Sequence, residues 1–226
     1  MNSEIPVVAI DGPVGSGKGT ISRALARSLK WNLLDSGALY RLVALNLIKK
    51  NVSIHDSTAV TEIAAEMDIS FSEACEEEKT FLDGSDVTLD IRTPECANKA
   101  SEIASMPALR SVLLTRQRKF LREPGLVADG RDMGSVIFPY ASLKVFLTAS
   151  VEERASRRYN QLKQKGINVS LPDLSRELVL RDERDVNRKI APLRPAKDAR
   201  ICDSTKLNPE DVVITILHWL QEKGFA

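Results

Sequence analysis

Short apolar runs recur along the chain, and each ends at Asp, Gly, Ser or Thr. Continuous apolar runs of this length are typical of strands that are covered on both faces of a sheet. The pattern predicts five such strands, at Val7–Ile10, Leu33–Leu34 with their flanking residues, Leu126–Ala128, Leu143–Leu147 and Arg200–Cys202.

Helical periodicity occupies most of the intervals between these strands. The first predicted helix covers Gly19–Lys30. Its residues Ile21, Leu25 and Leu29 recur at four-residue intervals and therefore share one helix face. Buried strands that alternate with helices indicate an α/β fold, in which a parallel sheet carries helices on both faces. The same pattern predicts further helices over Val151–Lys165, Leu174–Val186 and Pro209–Leu220.

The interval from Ala38 to Gly125 is too long for an ordinary crossover between two strands. It holds 88 residues, and a structureless loop of that length is improbable in a compact domain. The acidic stretch Asp68–Asp90 within it contains short β-like segments and an Asp83-Gly84 turn signal. We therefore expect an α+β insertion, with strands at Ile69–Ser72 and Lys79–Leu82 and helices near Pro94–Ser105 and Pro107–Arg122.

A glycine-rich segment lies between the first predicted strand and the first predicted helix. Glycines let a backbone wrap around phosphate oxygens with its N–H groups pointing inward, and the helix N-terminus adds the positive end of its dipole. Lys18 supplies a mobile cation for the β and γ phosphates. The segment therefore predicts a nucleoside triphosphate site. Its residues are Gly12, Pro13, Val14, Gly15, Ser16, Gly17, Lys18, Gly19 and Thr20.

The residue after the lysine departs from the common pattern. Most loops of this kind place there the Ser or Thr that contacts Mg²⁺, whereas this chain has Gly19 and only then Thr20. The variant Gly-Lys-Gly-Thr resembles the phosphate loop of nucleoside monophosphate kinases. The sequence therefore does not predict that this loop contacts Mg²⁺ directly.

Polar motifs follow the next two predicted strands. Asp35-Ser36-Gly37 comes after the second strand, with Tyr40-Arg41 one helical turn later, and Asp129–Gly134 comes after the third. The carboxyl ends of parallel strands form the ligand-binding edge of an open α/β sheet. We expect Asp129 to be the protein's partner for Mg²⁺, through a water molecule.

The segment from residue 154 to residue 200 is strongly basic, with 13 basic and six acidic residues. Arg154, Arg157 and Arg158 share one predicted helix face. Guanidinium groups are permanently charged and planar, so they suit the transfer of a phosphoryl group between two anions. We interpret Arg176, Lys189 and Lys197 as members of ordinary solvated ion pairs. The same helical spacing groups Arg181, Asp185 and Arg188 on another face.

The composition mainly excludes some classes of partner and of structural site. The 226 residues include 32 basic and 31 acidic ones, a net charge of +1, so we expect no nucleic-acid and no membrane partner. Cys75, Cys96 and Cys202 are odd in number and widely spaced, which favours reduced thiols over a disulfide framework or a zinc site. The first residues lack the features of a signal peptide, and no apolar stretch has the length of a membrane span. We therefore expect a cytoplasmic protein.

Taken together, these motifs resemble those of the bacterial cytidylate kinases. The similarity runs along essentially the whole chain, including the long insertion. It implies the P-loop kinase fold as a single domain over residues 1–226, with a five-stranded parallel sheet, a monophosphate-binding insertion at about 38–125 and a short lid at about 154–172. The matching segments are Gly12–Thr20, Asp35–Arg41, Ile91–Thr93, Asp129–Gly134 and Arg181–Asp185.

The resemblance also implies an activity and a set of site residues. The activity is transfer of the γ-phosphoryl group of ATP to CMP or dCMP, with Mg²⁺, by a chain that we expect to be a monomer. Lys18, Arg131 and Arg188 would be catalytic. The residues implied for ATP are Gly12–Thr20 with Arg157 and Arg158. The residues implied for CMP are Ser36, Tyr40, Arg41, Ser101, Arg110, Arg131, Asp132, Arg181, Asp185 and Arg188.

Other functions remain open at this point, with less support. A uridylate or adenylate kinase would share the fold, although an adenylate kinase would not need so long an insertion. A GTP-dependent switch would need Asn-Lys-x-Asp, and the nearest match, Asn98–Ser101, lacks the acid. An RNA-binding module would need stacking aromatic residues, but the basic segment contains only Tyr159.

Overall fold

The computed structural model of the chain describes residues 5–72, 79–164 and 166–225. Cys75, the acidic residues of segment 73–78 and the predicted helix end at Lys165 lie outside the described residues. The chain divides into two compact units, Met1–Asp35 with Arg118–Ala226, and Ser36–Gln117. Each is described by itself below.

The described residues contain eight strands and eight α-helices. The strands are β1 (Val7–Asp11), β2 (Asn32–Asp35), β3 (Ile69–Ser72), β4 (Lys79–Leu82), β5 (Ser85–Asp86), β6 (Leu126–Gly130), β7 (Leu143–Thr148) and β8 (Arg200–Asp203). The helices are α1 (Lys18–Leu29), α2 (Ser36–Lys49), α3 (Ser57–Glu66), α4 (Pro94–Ile103), α5 (Pro107–Arg118), α6 (Val151–Gln164), α7 (Leu171–Val186) and α8 (Pro209–Gln221). Two short helical turns are Asp90–Arg92, of 3₁₀ type, and Met133–Ile137, of π type.

The first unit is built on a parallel sheet with the strand order β2-β6-β1-β7-β8. Every residue of the central strands β1 and β6 is buried, as their continuous apolar sequences require. The five predicted strands and the parallel α/β fold are thus confirmed. Because β1 has β6 on one side and β7 on the other, its carboxyl end lies where the strand order reverses, the usual position of a ligand site.

Helices α1 and α8 cover one face of this sheet. Ile21 and Leu25 of α1 and Ile216 of α8 are at most 3% exposed and pack into one apolar cluster with the strands. The burial of these side chains supplies the main favourable free energy of this layer. The strand residues of the cluster are Val8, Ile10, Val127, Leu143, Val145, Leu147 and Cys202.

Two predicted helices differ from the structure by more than two residues at one end. Helix α7 begins at Leu171, earlier than predicted, because Pro172 fits the first helical turn after Ser170. Helix α5 ends at Arg118 rather than Arg122, where the Leu121 N–H donates to the Arg118 carbonyl and closes a tight turn. Between α6 and α7, Gly166 has a φ of +72°, which glycine adopts readily. The lid at 154–172 stays a prediction.

The second unit contains helices α2 to α5 and an antiparallel sheet in the order β3-β4-β5. Helix α2 is buried over most of its circumference and packs against α3 and α4. Arg116 closes the end of α3 by donating from Nη2 to the carbonyl oxygens of Ala65 (2.6 Å) and Met67 (2.8 Å). The predicted α+β character of this segment is confirmed, and its predicted limits of 38–125 stay a prediction.

Among the described residues, no helix combines the length and apolar character that crossing a membrane requires. Cys96 and Cys202 are buried and form no disulfide.

Candidate active site

The glycine-rich loop joins β1 to α1 and passes very close to a neighbouring strand. A Cβ atom on Gly12 would lie 2.0 Å from the carbonyl oxygen of Leu147, so no other residue fits there. Gly17 precedes α1 with a φ of +93°, in the left-handed region. Ser16 Oγ donates to the Pro13 carbonyl at 3.0 Å and closes the loop on itself. The backbone is therefore held in a tight turn ahead of the helix N-terminus, which is an anion-binding arrangement.

Lys18 is the first residue of α1, and its side chain is buried. Its Nζ donates to the Pro13 carbonyl at 2.8 Å. Burial, assisted by the nearby charge of Arg131, lowers the pKa of Lys18 to about 7, although Asp129 and Asp11 act in the opposite direction. A phosphate beside the ammonium group would favour its charged form.

Two buried carboxylates end the central strands. Asp11 is the last residue of β1, and Asp129 lies one residue before the end of β6. Asp129 Oδ2 is 3.5 Å from where a Cβ atom on Gly19 would lie, so this carboxylate stands beside the first turn of α1. The described residues contain no group of three or more His, Cys, Asp or Glu side chains that could hold a metal ion unaided.

Asp185 on α7 joins two arginines in a buried cluster. Its Oδ2 accepts from Arg131 Nε at 3.0 Å, and its Oδ1 accepts from Arg188 Nη2. Although burial acts to raise it, the guanidinium groups of Arg131 and Arg188 hold the pKa of Asp185 below its usual value. The cluster fixes two permanently charged donors in defined positions, which suits the binding of phosphate oxygens.

Two arginines of α6 contact the glycine-rich loop. Arg154 is buried, and its Nη1 donates to the Val14 carbonyl at 3.0 Å. Its Nη2 pairs with Asp182 Oδ2 on α7 at 2.6 Å, so one side chain connects the loop to the helix that carries Asp185. The sequence grouped Arg154 with its neighbours but assigned it no contact.

Arg157 and Arg158 lie in different surroundings. Arg157 donates to the carbonyls of Ser16 (3.4 Å) and Ser204 (2.6 Å), which connects the loop to the residue after β8. Arg158 donates to Gln161 on its own helix at 2.8 Å, and burial lowers its pKa. Arg157 is therefore part of the loop's surroundings, whereas the hydrogen bond to Gln161 holds Arg158 along α6.

The second unit carries five of the candidate residues. Ser36, Tyr40 and Arg41 lie on α2, Ser101 on α4 and Arg110 on α5. Arg110 Nη1 donates to Tyr40 Oη and to the Ala104 carbonyl, both at 3.3 Å. Ser101 is buried, and its Oγ makes no hydrogen bond to any part of the chain that the structure describes. A buried hydroxyl without a hydrogen bond is unfavourable unless a ligand or a water molecule supplies the partner.

Asp11, Arg154 and Ser204 are residues of the site's surroundings that sequence reasoning missed. Asp11 carried one signal, an acidic residue directly after an apolar strand and directly before the glycine-rich loop. Ser204 carried none, because its contacts with Ser16 and Arg157 depend on how β8 is placed in the sheet.

Comparison with known proteins decides the family. The cytidylate kinase family model matches residues 8–222. The chain belongs to the cytidylate kinase family. Two curated relatives within the family are the cytidylate kinases of Shewanella baltica (strain OS155) and Shewanella putrefaciens (strain CN-32). Each is 50% identical to this chain over 225 residues, which cover 99% of this chain and 98% of the relative.

A solved structure resembles this member of the family in fold alone. It is an uncharacterized protein from Eubacterium ventriosum, with 12% sequence identity and a TM-score of 0.52. The match covers 96% of this chain and 98% of that protein.

Substitution of Asp185 by Asn tests the buried arginine cluster. Asp185→Asn leaves two buried guanidinium groups without their carboxylate, so we expect the free energy of unfolding at pH 7 to fall by roughly 3–5 kcal/mol. The pKa of Asp185 is lower in the folded state than its ordinary value of 3.8. The ionised carboxylate therefore stabilises the fold fully at any pH above 3.8, and this stabilisation is lost only as the pH falls below that value. Urea titrations at pH 7 and pH 5 should therefore show the same difference from wild type.

Asp173→Asn is the matched control on the same helix. Asp173 pairs with Arg176 three residues later, as Asp185 pairs with Arg188, but these side chains are 58% and 75% exposed, against 1% and 7%. The control should lose much less stability. Equal losses in the two variants would contradict the assigned importance of the buried cluster.

Proposed function

We propose that this chain transfers the γ-phosphoryl group of ATP to CMP or dCMP, producing ADP and CDP or dCDP. The observation that carries the proposal is membership of the cytidylate kinase family along nearly the whole chain. The arrangement of the first unit agrees with it, because the glycine-rich loop and the buried Lys18 follow the central strand β1, and Arg131, which follows β6, is paired through the buried Asp185 with Arg188.

Lys18, Arg131 and Arg188 are the catalytic groups in this proposal. Direct transfer between two phosphates forms no covalent intermediate with the protein, so its contribution is positioning and the balancing of charge. Lys18 serves the triphosphate, while Arg131 and Arg188 serve the phosphates between which the group moves. Support comes from the ion pairs of both arginines with Asp185, which fix their positions before substrate binds.

ATP binds the loop Gly12–Thr20 in this proposal, together with Arg157 and Arg158. The contacts of Arg157 with Ser16 and Ser204 support its part in this site. Residues 154–172 act as a lid that excludes water, since water would otherwise accept the phosphoryl group.

Mg²⁺ accompanies ATP in this proposal, and Asp129 is the protein group that would hold it, through water. The surroundings fit, because magnesium usually retains several waters and uses one or two carboxylates with the substrate's phosphates. The Asp129 carboxylate beside Gly19 stands near the place where other loops of this kind supply a hydroxyl. When bound, the ion neutralises charge on the β- and γ-phosphates.

Ser101, Arg110 and Asp132 recognise the cytosine base. Cytosine presents an exocyclic amine as a donor and its N3 and O2 atoms as acceptors. The Asp132 carboxylate accepts from the amine, whereas Arg110 and Ser101 donate to the ring acceptors. The buried Ser101 Oγ and the position of Arg110 against Tyr40 support these roles.

The remaining candidates serve the sugar and the α-phosphate of CMP. Arg181 and Asp185 contact the sugar. The α-phosphate binds Ser36, Arg41, Arg131 and Arg188, and Tyr40 supports the same site from α2.

The chain also acts as a monomer in the cytoplasm in this proposal. Buried, unpaired thiols at Cys96 and Cys202 agree with a reducing compartment. Light scattering on a size-exclusion column should give the mass of one chain, 25.0 kDa.

A panel of monophosphates tests the substrate. With ATP and Mg²⁺ present, coupled measurement of ADP should give the highest kcat/KM with CMP or dCMP, and lower values with UMP and AMP. UMP is the sharpest competitor, because it carries a carbonyl where CMP carries the amine. A clear preference for AMP or UMP would contradict the proposal.

Arg188→Ala tests the proposed catalytic cluster. Removal of an arginine that balances charge in phosphoryl transfer is expected to lower kcat by about 10³-fold. Arg176→Ala is the control, because Arg176 is an exposed arginine on the adjacent helix α7. This variant should retain the wild-type kcat. Near-wild-type turnover of Arg188→Ala would reject the catalytic role.

A further inference from the structure

Asp11 makes two hydrogen bonds that no proposed substrate contact explains. Its Oδ1 accepts from the backbone N–H of Met133 at 2.7 Å, and its Oδ2 accepts from that of Gly134 at 2.9 Å. These are the first two N–H groups of the π-helical turn Met133–Ile137, which follows β6. The side chain is only 4% exposed, so both contacts are made away from water.

A helix of any kind begins with N–H groups that lack a partner within the helix. The residue just before the helix normally supplies the acceptor oxygen, and Asp is among the preferred types there. In this turn that residue is Asp132, yet its carboxylate makes no capping bond. Asp11 supplies the cap instead, from a strand 121 positions earlier in the chain.

The backbone of Asp132 is fixed from both sides. Its carbonyl accepts from the N–H groups of Val136 (2.9 Å) and Ile137 (3.2 Å). The N–H groups that follow it are held by Asp11. The direction in which the Asp132 side chain leaves the backbone is therefore set by the capped turn.

We infer that Asp11 is a positioning residue for base recognition: by capping this turn it fixes the backbone from which the Asp132 side chain extends towards the pyrimidine. The inference rests on the proposed function, in particular on the role given to Asp132.

A carboxylate is needed for this task because both of its oxygens accept at once. An Asn side chain has one acceptor oxygen, and its NH₂ group would face the second backbone N–H. The arrangement is unfavourable for the charge on Asp11: burial, with a smaller contribution from the nearby Asp132, raises its pKa to about 6, although the two backbone hydrogen bonds and Lys18 act in the opposite direction.

Asp11→Asn tests the inference through selectivity. Loss of one capping bond should turn Asp132 from its position, so kcat/KM for CMP should fall about 10-fold or more, mainly through KM. The value for UMP should change much less, because UMP has no amine for Asp132 to bind. The ratio of the two values should therefore fall about 10-fold, while KM for ATP stays within about 2-fold of wild type.

Ile216→Ala is the control for a purely structural effect. Ile216 lies in the apolar cluster between α8 and the sheet, so its truncation lowers stability without touching the capped turn. This variant should retain the CMP-to-UMP ratio of wild type. A parallel loss of both activities in Asp11→Asn, with the ratio unchanged, would overturn the inference.

Asp132→Ala, measured beside them, separates the inference from the proposed function. A lowered ratio in both Asp132→Ala and Asp11→Asn supports the inference. A lowered ratio in Asp132→Ala alone overturns it and leaves the proposed function standing. An unchanged ratio in Asp132→Ala removes the proposed role of Asp132, and the inference with it. Should Asp11→Asn fail to fold, Asp11→Ser, which has no NH₂ group, replaces it with the same expected and contradicting results.

Discussion

The burial of positive charge is the constraint on which the rest of the site depends. Lys18 and Arg188 have little exposure to water and Arg131 is only partly exposed, and a buried charged group is unfavourable unless something compensates it. Burial brings the pKa of Lys18 to about 7, which shows how weakly the surrounding protein compensates this one. In the proposed function the polyphosphate of ATP is the compensating partner, and the glycine-rich loop adds backbone N–H groups for the same anion.

Buried carboxylates fix the positions of these charged side chains without neutralising all of their positive charge. Asp185 pairs with both Arg131 and Arg188, so one negative charge fixes two guanidinium groups and the cluster keeps a net positive charge. Asp11 is used differently, because its partners are backbone N–H groups of the turn after β6. Arg154 adds a mechanical connection, from the Val14 carbonyl to Asp182 on α7. Position, rather than total charge, is what these contacts determine.

Sequence reasoning located the five sheet strands to within two residues, because each is an apolar run with clear boundaries. It also located the glycine-rich loop, whose spacing is dictated by phosphate geometry. It ended β1 at Ile10 and so passed over Asp11, since its partners, Met133 and Gly134, are far away in the chain. Strand β5, with only two residues, was too short to give a pattern. Contacts between distant segments are set by packing, and local sequence carries no signal for them.

The proton balance of ATP binding tests most directly whether burial disfavours the positive charge of Lys18 until an anion compensates it. Because the pKa of Lys18 is about 7, most of its side chains are neutral at pH 8 before ATP binds. ATP should restore the charge, so calorimetry in buffers of different ionisation enthalpy should show a net uptake of protons by the wild type at pH 8. Lys18→Met should take up fewer protons than the wild type. Equal proton uptake by the wild type and Lys18→Met would contradict the account.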